Sequence, residues 1–272
     1  MQNDVWDQSP IARIGLYRIH GEIVSKHENE TLNQRQNATS ERSAAMRLDP
    51  NTERELYQLY RDYFREAESE GGRDRLWHDL DPTVEGPKPS EELVNAALAS
   101  YRQDLFLPDY NFVSLVRLRG SRGRAWFWTR WSYEEGRHLL GMHEWLIARG
   151  VATQEELDQV NDNALASERW LPYSDDAIYL FIDALLWELS EIERGEAMLA
   201  MANGDEGLIQ LLNATLADER AHRDYMTTAL RLIQRSYPER VEAAVALVAT
   251  EHETPTLGEQ LSVYLDGAPE AR

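Results

Sequence analysis

The stretch "WSYEEGRHLLGMHEWL", residues 131–146, decides how this chain is read, because it sets acids and histidines among large apolar side chains. Trp128, Trp131, Glu135, His138, Met142 and Trp145 recur at steps of three and four, which puts them on one stripe of a helix. A helix that buries this stripe also buries Glu135 and His138. A buried carboxylate without a partner is costly, so something must compensate it.

The stretch has an echo. "EEGRH" at 134–138 returns as "DERAH" at 218–222, and the same offset separates Glu135 from Glu219 and His138 from His222. In the second copy Leu212, Thr215, Glu219, His222, Met226 and Ile233 share a stripe. One Glu-x-x-His alone reads as an ordinary bundle acid beside a satisfied core histidine. Two of them on matching apolar faces read as metal ligands. A third helix adds Glu188, in line with Phe181, Leu185 and Ile192, with Glu191 one step around. A fourth offers Asp104, in line with Leu93, Ala97 and Ser100 or Tyr101. Glu134 falls with Arg130 and Arg137 and is expected at the surface or in an ion pair. His20, His27, His78, His143 and His252 have no second ligand at useful spacing and are read as structural.

Around these segments almost every apolar run has helical spacing, and no period-two strand stands out. Helices are predicted over 9–30, 51–69, a stretch from 91 broken at Pro108, 125–149, 153–168, 174–202, 205–235 and 238–250. Segment 31–50 reads as loose, 71–89 as a Gly/Pro connector, 117–124 as a linker and 252–272 as a flexible tail. The expectation is a single all-α domain over 1–272, with residues 1–70 as an N-terminal helical extension and 90–235 as a four-helix ligand core.

Composition narrows the chemistry. At 272 residues and 42% hydrophobic, with eight Trp and twelve Tyr, the chain can bury a real core. A net charge of −20 disfavours non-specific nucleic-acid or anionic-membrane binding. The absence of cysteine removes disulfides, thiolate metal sites and thiol nucleophiles, so any electrons must come from a separate donor. With no long apolar run and no basic-then-apolar leader, a cytoplasmic location is the expectation.

The simplest compensation for four inward acids is a metal pair. One Glu from each of two helices, plus a Glu-x-x-His from each of two others, is the ligand set of carboxylate-bridged diiron proteins. Hard oxygens with only two imidazoles suit iron or manganese better than a closed zinc site.

On these residues the sequence resembles the soluble acyl-carrier-protein desaturases, the type 2 fatty acid desaturases of the ferritin-like diiron superfamily. The resemblance runs from about Trp77 to Ile233 and is carried by "WSYEEGRH" and "DERAH", with weaker likeness in "LFLPDY" at 105–110 and "LWHDLDP" at 76–82. It implies a ferritin-like four-helix bundle with added N- and C-terminal helices, two iron ions and O₂ as co-substrate. Glu135 and His138 would hold one iron, Glu219 and His222 the other, and Glu188 would be the third-helix ligand. Trp131 and Asp218 match a pair beside the cluster that orients ligands or relays electrons. It also implies an acyl carrier protein as partner, an external donor such as ferredoxin, and often a homodimer.

Two positions depart from that pattern. Leu105 stands where the family has its first-helix Glu, with Asp104 one residue earlier, so either Asp104 binds the metal or that iron loses a ligand. Glu191 stands where the family usually has Thr, as a catalytic candidate that would ligate metal, change proton delivery or alter which oxidation occurs. The expected activity is O₂-dependent desaturation of a carrier-bound acyl chain, with Trp128, Leu139, Met142, Leu185 and Met226 as candidates to line the chain. The departures keep two alternatives open: a diiron hydroxylase or N-oxygenase of a specialised metabolite, and a metal-binding bundle without turnover. Arg117, Arg119, Arg122 and Arg124 read either as a basic landing patch for an acidic carrier or as a solvated connector.

Overall fold

The computed structural model describes residues 48–166, 174, 176–252 and 257–265. The predicted helix over 9–30 lies outside the described residues. Within them every regular element is helical, as the spacing requires.

Helix α1, Pro50–Ala67, starts where the Asp49 carboxylate accepts from the amides of Asn51 and Thr52. A 3₁₀ turn follows over Arg73–Trp77. Helix α2, Glu91–Asp104, is capped by the Ser90 hydroxyl, which accepts from the Leu93 amide at 3.2 Å. Helix α3, Leu107–Leu118, carries Pro108 in its first turn, where a missing N–H costs nothing. The predicted break therefore falls at Leu105 and Phe106, just before the proline rather than at it.

Helix α4, Arg122–Ala148, begins three residues earlier than its sequence signal. The linker read over 117–124 thus shrinks to a short turn between α3 and α4. Its Gly123 serves packing: a Cβ there would lie 2.4 Å from the Leu56 backbone, so α1 and α4 could not approach as they do. Helix α4 ends at Gly150, which takes a positive φ of 61°. Helices α5, Gln154–Ala166, α6, Ala177–Met201, and α7, Glu206–Ser236, follow close to their predicted bounds. Helix α8 spans Pro238–Glu251. A last helix, α9, covers Leu257–Leu265 inside the segment read as a tail, and its Leu261 is buried. Three leucines at four-residue steps give it an apolar edge too short to stand out between Gly and Pro.

The bundle consists of α2 with α3 as one broken helix, then α4, α6 and α7. Helix α6 packs on α7, and α4 bridges α2, α3 and α7. Helix α1 lies against both α4 and α7, with Leu56 and Ala67 fully buried, so it is part of the core rather than an appendage. Two apolar clusters fill the interior. One holds Leu56, Phe127, Trp128, Trp131, Phe181, Leu185, Tyr225, Met226 and Ile233. The other holds Leu93, Ala97, Tyr101, Met142, Trp145, Leu146, Leu208 and Leu212. The inward acids and histidines lie along the helices between these clusters. Among the described residues no helix is long and apolar enough to cross a membrane.

Candidate metal centre

The helical stripes do what their spacing dictates: Glu135 and His138 on α4, Glu188 on α6, and Glu219 and His222 on α7 all turn into the bundle interior and are buried. Glu135, Glu188, Glu219 and His222 each place one ligand atom within 4.8 Å of the others'. That is a group able to hold a metal ion.

The carboxylates are shared between the histidines. Glu135 sets Oε1 3.2 Å from Nδ1 of His222 and Oε2 3.4 Å from Nδ1 of His138. Glu219 sets Oε2 3.5 Å from Nδ1 of His222 and Oε1 3.1 Å from Nδ1 of His138. Each acid thus turns one oxygen toward each imidazole. Glu188 adds an oxygen 3.2 Å from Nδ1 of His222. Oε1 of Glu135, Nδ1 of His138 and Oε2 of Glu219 are buried without a partner at hydrogen-bonding geometry. Buried polar atoms are rarely left so, and these three converge on the same space; the donor set fits a cation.

The residue before each Glu clamps the histidine of the other motif. Oδ2 of Asp218 lies 3.1 Å from Nε2 of His138, and Oε2 of Glu134 lies 2.9 Å from Nε2 of His222. An ionised carboxylate only accepts, so each Nε2 carries the proton and Nδ1 is the nitrogen turned to the metal space. Arg73, from the 3₁₀ turn, donates to both clamps, to Glu134 at 2.8 Å and to Asp218 at 3.0 Å. Tyr63 on α1 also donates to Glu134, and Trp77 donates to Asp218 at 3.0 Å. Glu134 is ion-paired with Arg130 at 2.7 Å, as its spacing predicts, but it is fully buried rather than at the surface.

Charge balance follows from this packing. Burial opposes the ionised forms of Glu134 and Asp218, but His222 with Arg73 and His138 with Arg137 outweigh it and hold both acids below the usual range. Burial likewise opposes a charged His138, yet Glu135 and Glu219 push it well above the ordinary imidazole value. For His222 the contacts with Tyr63, Glu188, Glu134 and Glu135 overcome burial in the same direction. Burial and the neighbouring Glu219 push Glu188 well up. Without metal, protons neutralise this centre.

Trp131 donates to Oε1 of Glu188 at 2.6 Å, fixing that carboxylate. Asp104, at the end of α2, is buried, and burial together with Glu191 and Glu135 pushes its carboxyl well up. It is near the centre without joining the group of four. Glu191 turns to other partners: it accepts from Gln103 at 2.8 Å and from Arg194 at 2.6 Å, and burial lifts it to about 7. Of the residues suggested to line a chain, Trp128, Leu185 and Met226 lie in one apolar cluster, Met142 lies in the other, and Leu139 packs against the second.

The arginine patch does not form as read. Arg124 is buried against Glu53, Arg117 donates to the Ser174 carbonyl at 2.8 Å, and Arg122 lies over Tyr57. Arg119 and Arg122 are the two of the four that face solvent. Arg73 and Tyr63 carry no motif of their own, so nothing in their local sequence marks them as supports of the centre. Comparison of the chain with protein-family models, with curated proteins and with solved structures returns no match.

Proposed function

We propose that this protein is an O₂-dependent diiron oxidase, and that it desaturates an acyl chain presented on a carrier protein. The observation that carries the dinuclear reading is the split of Glu135 and Glu219, each with one oxygen toward His138 and one toward His222. Two histidines with bridging acids between them suit two ions better than one. Glu135, Glu219 and Glu188 with His138 and His222 would hold the ions, with Glu188 on the His222 side. Two iron ions there would supply reduction of O₂ and oxidation of an unactivated C–H bond.

The chain's own residues set the conditions for that chemistry. Asp218 and Glu134 fix the tautomers of His138 and His222. Trp131 holds Glu188 in place. Trp128, Leu185 and Met226 exclude water on one side of the centre, which favours C–H oxidation over side reactions. The desaturase assignment, the carrier partner and an external electron donor rest on the motif resemblance, and the absence of cysteine accords with an outside reductant.

A second reading, oxygen insertion into a more polar metabolite, is favoured by one feature. Gln103, Glu191 and Arg194 form a closed polar ring beside Asp104, with Arg194 also donating to Gln103 at 2.7 Å. A buried acid with an affinity for protons near neutrality could serve a polar substrate. The test is anaerobic loading with ferrous iron, then O₂ and a carrier-bound acyl substrate. Iron oxidation with loss of two hydrogens supports desaturation, and gain of one oxygen atom supports the second reading. Absence of iron binding or oxidation would leave a bundle without turnover.

A further inference from the structure

Outside the metal centre lies a second buried polar cluster that the proposed function does not use. The Tyr110 phenol on α3 donates to Oδ2 of Asp183 on α6 at 3.3 Å, and Nε2 of His252, just past α8, lies 2.8 Å from Oδ1 of the same acid. All three are buried. Three helices are thus joined through one carboxylate. The sequence offers no reason for an acid at 183, which sits among Tyr179, Phe181, Ile182 and Leu185 on the most apolar helix of the bundle.

The other side of the Tyr110 ring meets indoles. Its centroid is 5.6 Å from Trp128 and 6.2 Å from Trp131, and those two rings are 4.9 Å apart. Trp131 in turn donates to Glu188. A continuous path of touching aromatic rings therefore runs from a metal-site carboxylate to a phenol that has its own proton acceptor. Losing an electron makes a phenol strongly acidic, so its oxidation needs a base already in place. Burial, reinforced by the nearby Asp183, holds the Tyr110 phenol well above its ordinary pKa, so simple ionisation does not compete.

We propose that Tyr110 is a redox-active residue, a one-electron donor to the metal centre through Trp131, whose phenolic proton passes to Asp183. This rests on the diiron reading. The oxidant is the centre after it has met O₂ with no substrate present. Tyr110 gives it one electron, and the oxidation level of the centre falls by one. The O–H bond of Tyr110 breaks, the proton moves to Oδ2 of Asp183, and a neutral tyrosyl radical remains. His252 is a positioning residue that holds Asp183 toward the phenol. The relay draws an oxidising equivalent away from the ligands when no substrate C–H bond is there to take it.

The test uses the full chain loaded anaerobically with ferrous iron, mixed with O₂ without substrate and freeze-quenched. Iron oxidation is followed optically and radicals by electron paramagnetic resonance in the same samples. A tyrosyl signal is expected in the unaltered chain. It should be lost in Tyr110→Phe, which keeps the ring and its packing, and reduced several-fold in Asp183→Asn with iron content unchanged. Iron that is oxidised with no Tyr110-dependent radical overturns the relay alone. Iron that binds but is not oxidised overturns both the relay and the oxidase reading.

Discussion

The two halves of the centre share a motif and differ in what surrounds them. The His222 half is sealed: the imidazole is 0% exposed, and its ring meets Tyr63, Phe127 and Trp131. Beside it Glu188 is held by Trp131, and Glu134, which meets its Nε2, is clamped by Arg73, Arg130 and Tyr63. The His138 half lies nearer the outside. Its ring stacks on Trp77 at 5.5 Å, Arg137 covers that indole, and the further buried acids that interact with it are Asp104 and Glu191 rather than Glu188. The difference comes from the outer layer: α1 packs over one motif, and a single 3₁₀ turn covers the other. A repeated Glu-x-x-His motif therefore sets its two histidines in unequal surroundings.

The shared acids should matter most. Glu219→Gln removes a bridge and should drop bound iron from about two ions per chain toward none, read by metal analysis of the purified protein. Retention of both ions would break the bridging geometry. Next come the halves themselves. His222→Ala should abolish stable loading, whereas His138→Ala should leave about one ion on Glu135, Glu188, Glu219 and His222, the group that already converges. Equal losses in the two variants would erase the asymmetry.

The clamps come next. Glu134→Gln leaves Arg73 and Arg130 short of a buried partner, and Asp218→Asn does the same to Arg73 and Arg137, so each should lower stability by about 3–5 kcal/mol, seen in denaturant unfolding. Each also frees one histidine and should weaken metal affinity by about 10–100-fold, Glu134→Gln through His222 and Asp218→Asn through His138. Unchanged stability and affinity in either variant would remove that clamp.

The smallest effect is a pH dependence. Burial raises the folded-state value of Glu191 to about 7, so the folded metal-free chain binds a proton there that the unfolded chain has released. Stability without metal should therefore fall as pH rises from the ordinary glutamate range toward 7, since the folded state holds more protons in that window. Glu191→Gln should flatten this slope, as measured by thermal unfolding across the window. An unchanged slope would place the titration elsewhere.

Much of the centre is legible in the sequence because helices report their buried face by period. Glu135, His138, Glu188, Glu219 and His222 could be found from spacing alone, since each lies on an apolar stripe. The supports could not. Arg73 and Trp77 come from a turn with no period, and Tyr63 lies on a helix whose docking site is set by Gly123, a residue that reads as linker. Glu134 has the spacing of an outer-face residue, and it is buried only because α1 and the 3₁₀ turn bring Tyr63 and Arg73 to it. Helix α9 was hidden by its brevity. The roles of Asp104 and Glu191 depend on side-chain direction at a helix end, which periodicity does not encode.

The central claim is a pair of ions bridged by Glu135 and Glu219, and anomalous diffraction at the iron edge from iron-loaded crystals tests it most directly. The account predicts two peaks about 3.5–4 Å apart, one beside Nδ1 of His138 and one beside Nδ1 of His222, with both glutamates between them. A single peak bound by His222 alone, or none within the bundle, would contradict it.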